Sequence, residues 1–286
     1  MKQRKILSVF SSVFALSILL AGCSTGSNSS NQNQTKAKVD FKVSADNGGN
    51  TVKDATFKYG ILTNSPFVGL FHPVLHANKA DGVITETVFG KTFPVDDALK
   101  YKLDDKDAPV KLHIDKDKNE AILTIHDGVK WNNGEDLTSK DIIASYELLG
   151  NPKYTENVRY NKLSPSMLWG DGFIYAFSNA KQIAKVTDFA RFGEAELTKR
   201  PLSYGPYVIT KEVQGESVIA EANPYYAFGK PKTPRMEIKA VPSAQVVAAA
   251  KSGEYDIIDS FGSDLYEKFA ALKNGKIASN YYGGYG

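Results

Sequence analysis

The sequence predicts a mixed α/β (α+β) fold. Three observations carry the prediction: two pairs of alternating strands, a capped amphipathic helix between them, and a strand–helix–strand unit near the C-terminal end. Parallel strands need a crossover connection, usually a helix, so the last unit places part of the body in the parallel, helix-covered class.

The first strand is expected at Ala55 to Leu62, where Phe57, Tyr59 and Ile61 alternate with smaller or polar residues; Thr63-Asn64-Ser65-Pro66 then turns the chain. Leu70 to His76 and Val83 to Phe93 are apolar but punctuated by Pro73, Gly82, Gly90 and Pro94, which predicts short irregular elements rather than long helices. A β-hairpin follows, with Val110, Leu112 and Ile114 on one arm, Ala121, Leu123 and Ile125 on the other, and Asp115 to Asn119 as the polar turn. Asp127 to Gly134 forms a loop that carries Trp131. Thr138 stands three residues before Asp141 in capping-box spacing, and Ile142, Ile143, Tyr146 and Leu149 give the helix an apolar face until Gly150, Asn151 and Pro152 stop it.

Between Tyr154 and Pro201 the pattern is weaker: Trp169, Phe173, Tyr175 and Phe177 cluster near Gly170 and Gly172, and a helix is expected between Ala176 and Phe192. Tyr204-Gly205-Pro206-Tyr207-Val208 opens a second hairpin, which turns at Gln214-Gly215, returns through Ser217 to Ala220 and ends at Asn223-Pro224-Tyr225-Tyr226. The strand–helix–strand unit has Met236, Ile238 and Ala240 as strand, Ser243 as cap, Ala244 to Lys251 as helix, Gly253 as stop and Tyr255 to Ile258 as second strand. A further helix is read over Leu265 to Leu272, and a strand from Lys276 to Tyr282.

The N-terminal segment has a different character. Lys2, Arg4 and Lys5 precede an apolar run from Ile6 to Leu20, which is short of the about 20 residues a spanning helix needs and fits a cleaved leader over 1–22. Leu20-Ala21-Gly22-Cys23 resembles a bacterial lipobox, which implies that Cys23 becomes the lipidated N-terminus. A diacyl modification supplies the two chains that stable membrane anchoring needs. From 23 to 53 the chain is rich in Ser, Asn, Gln, Thr, Gly and Lys and reads as a flexible tether.

Composition narrows the function classes. At 286 residues and 42% hydrophobic, the chain can bury a sizeable core in one or two domains. Its formal charge of +3 disappears when the leader's three cations leave, so neither nucleic acid nor anionic lipid has an electrostatic case as partner. Cys23 is the sole cysteine, so the fold is expected to stand without disulfides.

Motifs for chemistry are sparse. Gly22-Cys23-Ser24-Thr25-Gly26 matches a nucleophile elbow, but it lies at the leader junction with no strand before it. Ser178-Asn179-Ala180-Lys181 lacks the companion motifs of an acylating serine, and Gly90-Lys91-Thr92 lacks the first glycine of a phosphate loop. His72 and His76 have helical zinc spacing, yet Pro73 intervenes and no third ligand is placed with them. No enzyme activity and no cofactor are expected, because no nucleophile, base or paired carboxylates can be named.

Three segments resemble the oligopeptide-binding lipoproteins of peptide ABC transporters, the family 5 solute-binding proteins: Leu123 to Gly134 running into Leu137 to Tyr146, Tyr204 to Tyr207 through Asn223 to Tyr226, and Ser252 to Ile257. The likeness is strongest to lipid-anchored receptors of Gram-positive bacteria. It implies a periplasmic-binding-protein type II-like fold, in which two lobes close over an extended peptide held by main-chain hydrogen bonds. By this resemblance 54–258 is the first lobe, incomplete, and 259–286 begins the crossover to a second lobe. Thr63, Asn64 and Ser65 fall where that lobe meets the ligand backbone. Trp131, Tyr204 and Gly205 are counted as further peptide contacts, with a core position as the alternative for Trp131. The implied partners are oligopeptides, membrane permease subunits of an ABC transporter and, through the lipid anchor, the cell membrane at its extracellular face, or the periplasmic side in a Gram-negative cell. An ending inside an element leads us to expect a truncated receptor, with a surface remnant or interaction protein, or a lipid-anchored hydrolase, as alternatives.

Overall fold

Alternation of apolar residues along 56–62 has the period of a strand, and the computed structural model pairs that strand with a neighbour on each side. It describes residues 54–277 except 74, 77, 95–100, 116, 119, 156–175, 260–261 and 276. These residues fall in one unit of the chain, 39–286. The leader, the tether, Cys23, Trp169, Phe173, Tyr175 and the strand expected at 276–282 lie outside the described residues or mostly so.

Strand β1 (Thr56–Leu62) pairs in parallel with β6 (Arg235–Val241), Thr56 facing Arg235 and Leu62 facing Val241, and on its other side with β7 (Ile257–Asp259). The hairpin β4 (Tyr207–Val213) and β5 (Ser217–Ala222) adds antiparallel to β6, giving the order β4-β5-β6-β1-β7. The expected strand–helix–strand unit is present, with one difference: its two strands are not neighbours but flank β1. A second sheet is the hairpin of β2 (Val110–Asp115) and β3 (Glu120–Ile125), in register from Val110–Ile125 to Asp115–Glu120.

The two faces of β1 bury different layers. Tyr59 and Ile61 pack with Ala80 and Ile84 of helix α1 (Lys79–Phe89) and with Phe67 and Phe71, whereas Leu62 packs with Val241, Val246 of helix α6 (Val246–Ser252) and Leu265 and Phe269 of helix α7 (Ser263–Ala270). Full burial of an aliphatic side chain such as Ile61 or Ile84 contributes about 2 kcal/mol. Helix α1 also reaches a second core, where Val88 and Phe89 meet Val110, Trp131, Leu137, Phe177, Tyr204 and Ile142 of helix α2 (Ser139–Gly150).

Helix α1 corrects the expectation of irregular structure over 83–93. Asn78 caps it by accepting the Asp81 N–H at 2.9 Å, and Ala80, Ile84 and Val88 form one buried stripe. Gly82 costs about 1 kcal/mol of helix propensity relative to alanine, but the His76 ring rests on it, 3.2 Å from where a Cβ would stand. Gly90 ends the helix at φ 70°. The helix expected between 176 and 192 resolves into two short pieces, α4 (Ala180–Ile183), capped by Asn179, and a 3-10 turn (Phe189–Glu194), capped by Asp188; α3 (Pro152–Thr155) and α5 (Glu196–Lys199) are single turns on either side. Ser243 does not cap α6, whose N-cap is Gln245.

A third core holds Leu148, Tyr154, Ile183, Phe192 and Leu197, and His72 is set against it. The His72 ring lies 5.4 Å from that of Phe192 and 6.4 Å from that of Tyr154, edge to face, and its Nε2 is 3.0 Å from Ser178 Oγ. Burial pushes the imidazole down to about 3, and His76 nearby acts in the same direction. The native state therefore binds fewer protons than the unfolded chain, whose histidine titrates near ~6.5. Stability is complete above that value and falls by about 1.4 kcal/mol per pH unit below it, down toward the folded value. Denaturant titrations of wild type at pH 7.5 and pH 5.5 are expected to differ by about 1.4 kcal/mol from this group. The His72→Asn variant is expected to be less stable at pH 7.5 and to lack that increment; an equal increment in the variant would remove His72 as its source.

Candidate functional site

In a sheet with parallel strands, loops that leave the carboxyl ends of the strands converge on one edge and present polar backbone there. At that edge the chain leaves β1 through Thr63, Asn64 and Ser65. The Thr63 N–H continues the parallel ladder to Val241 O at 3.0 Å, and Thr63 Oγ1 accepts the Ser65 N–H at 3.0 Å, which closes a hydroxyl-capped turn. Asn64 Oδ1 accepts both the Ser243 N–H and the Ser243 hydroxyl, each at 3.1 Å, so the loop after β1 is tied to the loop after β6. Asn64, Ser65 and Pro66 are exposed.

The loop that follows is anchored at both ends by buried Phe67 and Phe71, between which Val68 projects outward, 53% exposed. Its amides point inward to Asp81 in the first turn of α1: Oδ1 accepts from Val68 at 3.1 Å and Gly69 at 3.3 Å, and Oδ2 accepts from Leu70 at 3.2 Å. Asn78 Nδ2 adds a bond to Pro66 O at 2.9 Å. Gly69 sits at φ +85°, and a Cβ there would stand 2.9 Å from Glu212 Oε1 on β4. Burial pushes the Asp81 carboxyl above its ordinary value against the pull of the three amides, and Glu212 adds to the rise. Glu212 itself pairs with Arg200 at 3.0 Å.

On the β7 side of the same sheet, the Tyr59 hydroxyl donates to Asp259 Oδ2 at 3.0 Å, and Lys79 Nζ lies 3.7 Å from the same oxygen. Burial raises the Tyr59 phenol well above its usual value, with the Asp259 charge second. It is a hydrogen-bond donor at any physiological pH.

The structure divides the six expected contact residues into two groups. Thr63, Asn64 and Ser65 are together at the strand tips. Tyr204 and Gly205 precede β4, which runs parallel to β1 with two strands between them, so they stand at the opposite end of the sheet, about 20 Å off along the strand direction for strands of seven residues. Trp131 lies with them. These three are corrected from contacts to core. Trp131 is fully buried, its ring edge-on to Tyr204 at 5.4 Å and its Nε1 3.4 Å from Asp141 Oδ2. Tyr204 is 3% exposed, and its hydroxyl accepts the Phe177 N–H at 3.0 Å. Gly205 donates its N–H to Val88 O at 2.9 Å, a packing so close that no side chain fits. An aromatic after a hairpin and a Tyr-Gly pair at a bend match both roles in sequence, and burial decides between them.

Asp81, Glu212 and the tie that Ser243 makes to Asn64 were not foreseen. Asn78 three residues before Asp81 carries the signal of a helix start, and a helix there would have turned Asp81 toward the preceding loop. Among the described residues no group of three His, Cys, Asp or Glu could hold a metal ion, and none of the helices is long and apolar enough to cross a membrane. A cavity of about 510 Å³ on the helical side, lined by Gln182, Lys185, Asp188, Arg191 and Glu194 among others, includes none of the strand-tip residues.

This mixed sheet, with a polar strand-tip rim, helices on both faces and a hairpin core around a buried tryptophan, belongs to a fold shared with known proteins. The family described as bacterial extracellular solute-binding proteins, family 5 Middle, matches residues 106–286. The chain belongs to that family. Over 319 residues this family 5 chain is 24% identical to the oligopeptide-binding protein OppA of Lactococcus lactis subsp. lactis, covering 97% of the chain and 53% of OppA. Over 300 residues it is 25% identical to the oligopeptide-binding protein AppA of Bacillus subtilis (strain 168), covering 96% and 52%. The solved structure of lactococcal OppA, complexed with an endogenous peptide in the closed conformation, shares the fold with a TM-score of 0.65 over 76% of this chain and 48% of that one, at 24% identity. The chain spans about half the length of the curated relatives it matches. These relatives are binding proteins by description, not enzymes.

Proposed function

We propose that this family 5 chain forms the part of an oligopeptide receptor that meets peptide backbone, through the strand-tip turn at Thr63, Asn64 and Ser65. The observation that carries the reading is the exposure of that turn at the carboxyl ends of β1 and β6, cross-tied by Asn64 and Ser243, in a chain whose relatives are described as oligopeptide-binding. Main-chain hydrogen bonding suits the task, since it is indifferent to side-chain identity and leaves sequence preference to pockets. Residues 1–22 act as a leader and Cys23 as the acylated N-terminus, and 23–53 hold the body off the outer face of the cell membrane, where permease subunits of an ABC importer receive the peptide. The residue order of cations, apolar run, small residues and cysteine supports that placement.

Calorimetric titration of the mature chain, begun at Cys23, with a mixed library of short peptides tests the reading, with a thermal melt on the same sample. Binding on the order of micromolar Kd with a cooperative melt is expected, weakened by Asn64→Ala without a matching loss of melting temperature. A cooperative melt with no heat of binding would overturn the peptide reading and leave a folded surface protein whose partners are other than peptides.

A further inference from the structure

We propose that Asp81 is a positioning residue for the strand-tip turn: from the first turn of α1 it holds the amides of Val68, Gly69 and Leu70 and so fixes where Thr63, Asn64 and Ser65 face a ligand. The inference rests on the peptide reading for what the turn meets, and on geometry alone for how the turn is held.

Between the Thr63–Ser65 turn and buried Phe71 the backbone belongs to no strand or helix, so its course depends on the bonds made by individual groups. Phe71 closes the far end by donating to Thr198 O at 2.7 Å. In between, Pro66 O is held by Asn78 at 2.9 Å, and after Phe67 the amides of Val68, Gly69 and Leu70 all point to one carboxylate, at 3.1, 3.3 and 3.2 Å. Asp81 is fully buried. A buried carboxylate is costly unless its lone pairs are filled, and here they are filled by the loop itself, so loop and carboxylate hold each other.

The charge state matters to this arrangement. Asparagine has one acceptor oxygen; its amino group would oppose either the Leu70 N–H or, if flipped, the N–H groups of Val68 and Gly69. Protonation of Asp81 presents the same conflict, and burial, which raises its pKa, favours that event. Titratable groups near this loop among the described residues include Glu212 on β4, paired with Arg200, and His76, whose ring covers Gly82 of α1.

The test combines nuclear magnetic resonance of the mature chain with the peptide titration, on wild type and Asp81→Asn. In wild type the amide shifts of Val68, Gly69 and Leu70 are expected to titrate together, with one midpoint above the ordinary aspartate value. In Asp81→Asn they are expected not to titrate, although Glu212, Arg200 and His76 remain. Amide exchange at Val68 to Leu70 and at Thr63 to Ser65 is expected to rise at least tenfold in the variant, with the β2–β3 hairpin unchanged, and peptide affinity to fall roughly tenfold, as loss of a charge-assisted bond implies. Unchanged exchange at Thr63 to Ser65, or equal affinity in a variant whose exchange has risen, would overturn the positioning role. If wild type binds no peptide the peptide reading fails, and the shift and exchange data still decide whether Asp81 holds the turn.

Discussion

Gly205→Ala is expected to destabilise the chain by about 3 kcal/mol, the upper end for overpacking, and to leave little cooperative unfolding in a thermal melt. A Cβ at this position would stand 2.3 Å from Val88 O, 2.5 Å from Phe89 C and 2.7 Å from Gly90 N. All three are backbone atoms at the end of α1, so no rotamer change can relieve the contact. Either the helix end retreats or the segment before β4 does. Retreat of the helix pulls Val88 and Phe89 out of the core around Trp131; retreat of the segment breaks the Gly205 N–H bond to Val88 O and the bond from Asn223 Nδ2 to Gly205 O at 2.8 Å. Gly205 is not at positive φ, so the cost is purely steric. Gly229→Ala is the control: its Cβ meets no atom within 4 Å, but φ is +95°, so it reports backbone strain alone. A Gly205→Ala melt indistinguishable from wild type would mean that the approach of these two segments is looser than the structure shows.

This close contact explains why the sequence led toward a ligand site. A Tyr-Gly-Pro-Tyr bend is compatible with exposed aromatics at a cleft and with two backbones touching in a core, and no local pattern separates the two. What was legible was what has a short period. The alternation of β1, both hairpins, the α2 capping spacing and the Gly253 stop, at φ 69°, all sit within a few residues of their own cause. Helix α1 was hidden because Gly82 counts against a helix in any local sum, and the compensating His76 contact is tertiary. The strand-tip rim was half legible for the same reason. The turn residues Thr63 to Ser65 declare themselves by type, but the Asn64–Ser243 tie spans 179 positions and nothing near either residue announces it. Ser243 even fits a helix cap, the role Gln245 takes.

Asp141 shows how far one legible motif can reach beyond its local meaning, and replacing it carries the second large expected effect. Read locally, it completes a capping box with Thr138, worth on the order of 1 kcal/mol. In the structure its Oδ2 accepts the Thr138 N–H at 2.9 Å, the Thr138 hydroxyl at 2.9 Å and Trp131 Nε1–H at 3.4 Å, while Oδ1 accepts the Ala180 N–H at 2.8 Å. One carboxylate, 5% exposed, therefore joins the start of α2, the tryptophan loop and the start of α4. Ser145, one turn on, extends the joint: its hydroxyl donates to Asp141 O at 2.7 Å and accepts the Ser178 N–H at 2.9 Å. Asp141→Ala leaves the Ala180 N–H and the Trp131 N–H without their acceptor in a buried setting, each at roughly 1–3 kcal/mol, so a total of about 3 kcal/mol is expected after relaxation. Asp141→Asn keeps the shape and one acceptor but turns an amino group toward donors on one side, so it is expected to lose more than half as much. Thr138→Ala removes only one of the four bonds and is expected to cost about 1 kcal/mol. Denaturant midpoints for the three variants, made in a Trp169→Phe background so that fluorescence reports Trp131, measure the series. Equal losses in Asp141→Ala and Thr138→Ala would reduce Asp141 to a helix cap; a loss about threefold larger would establish it as the joint that seats the tryptophan loop on both helices.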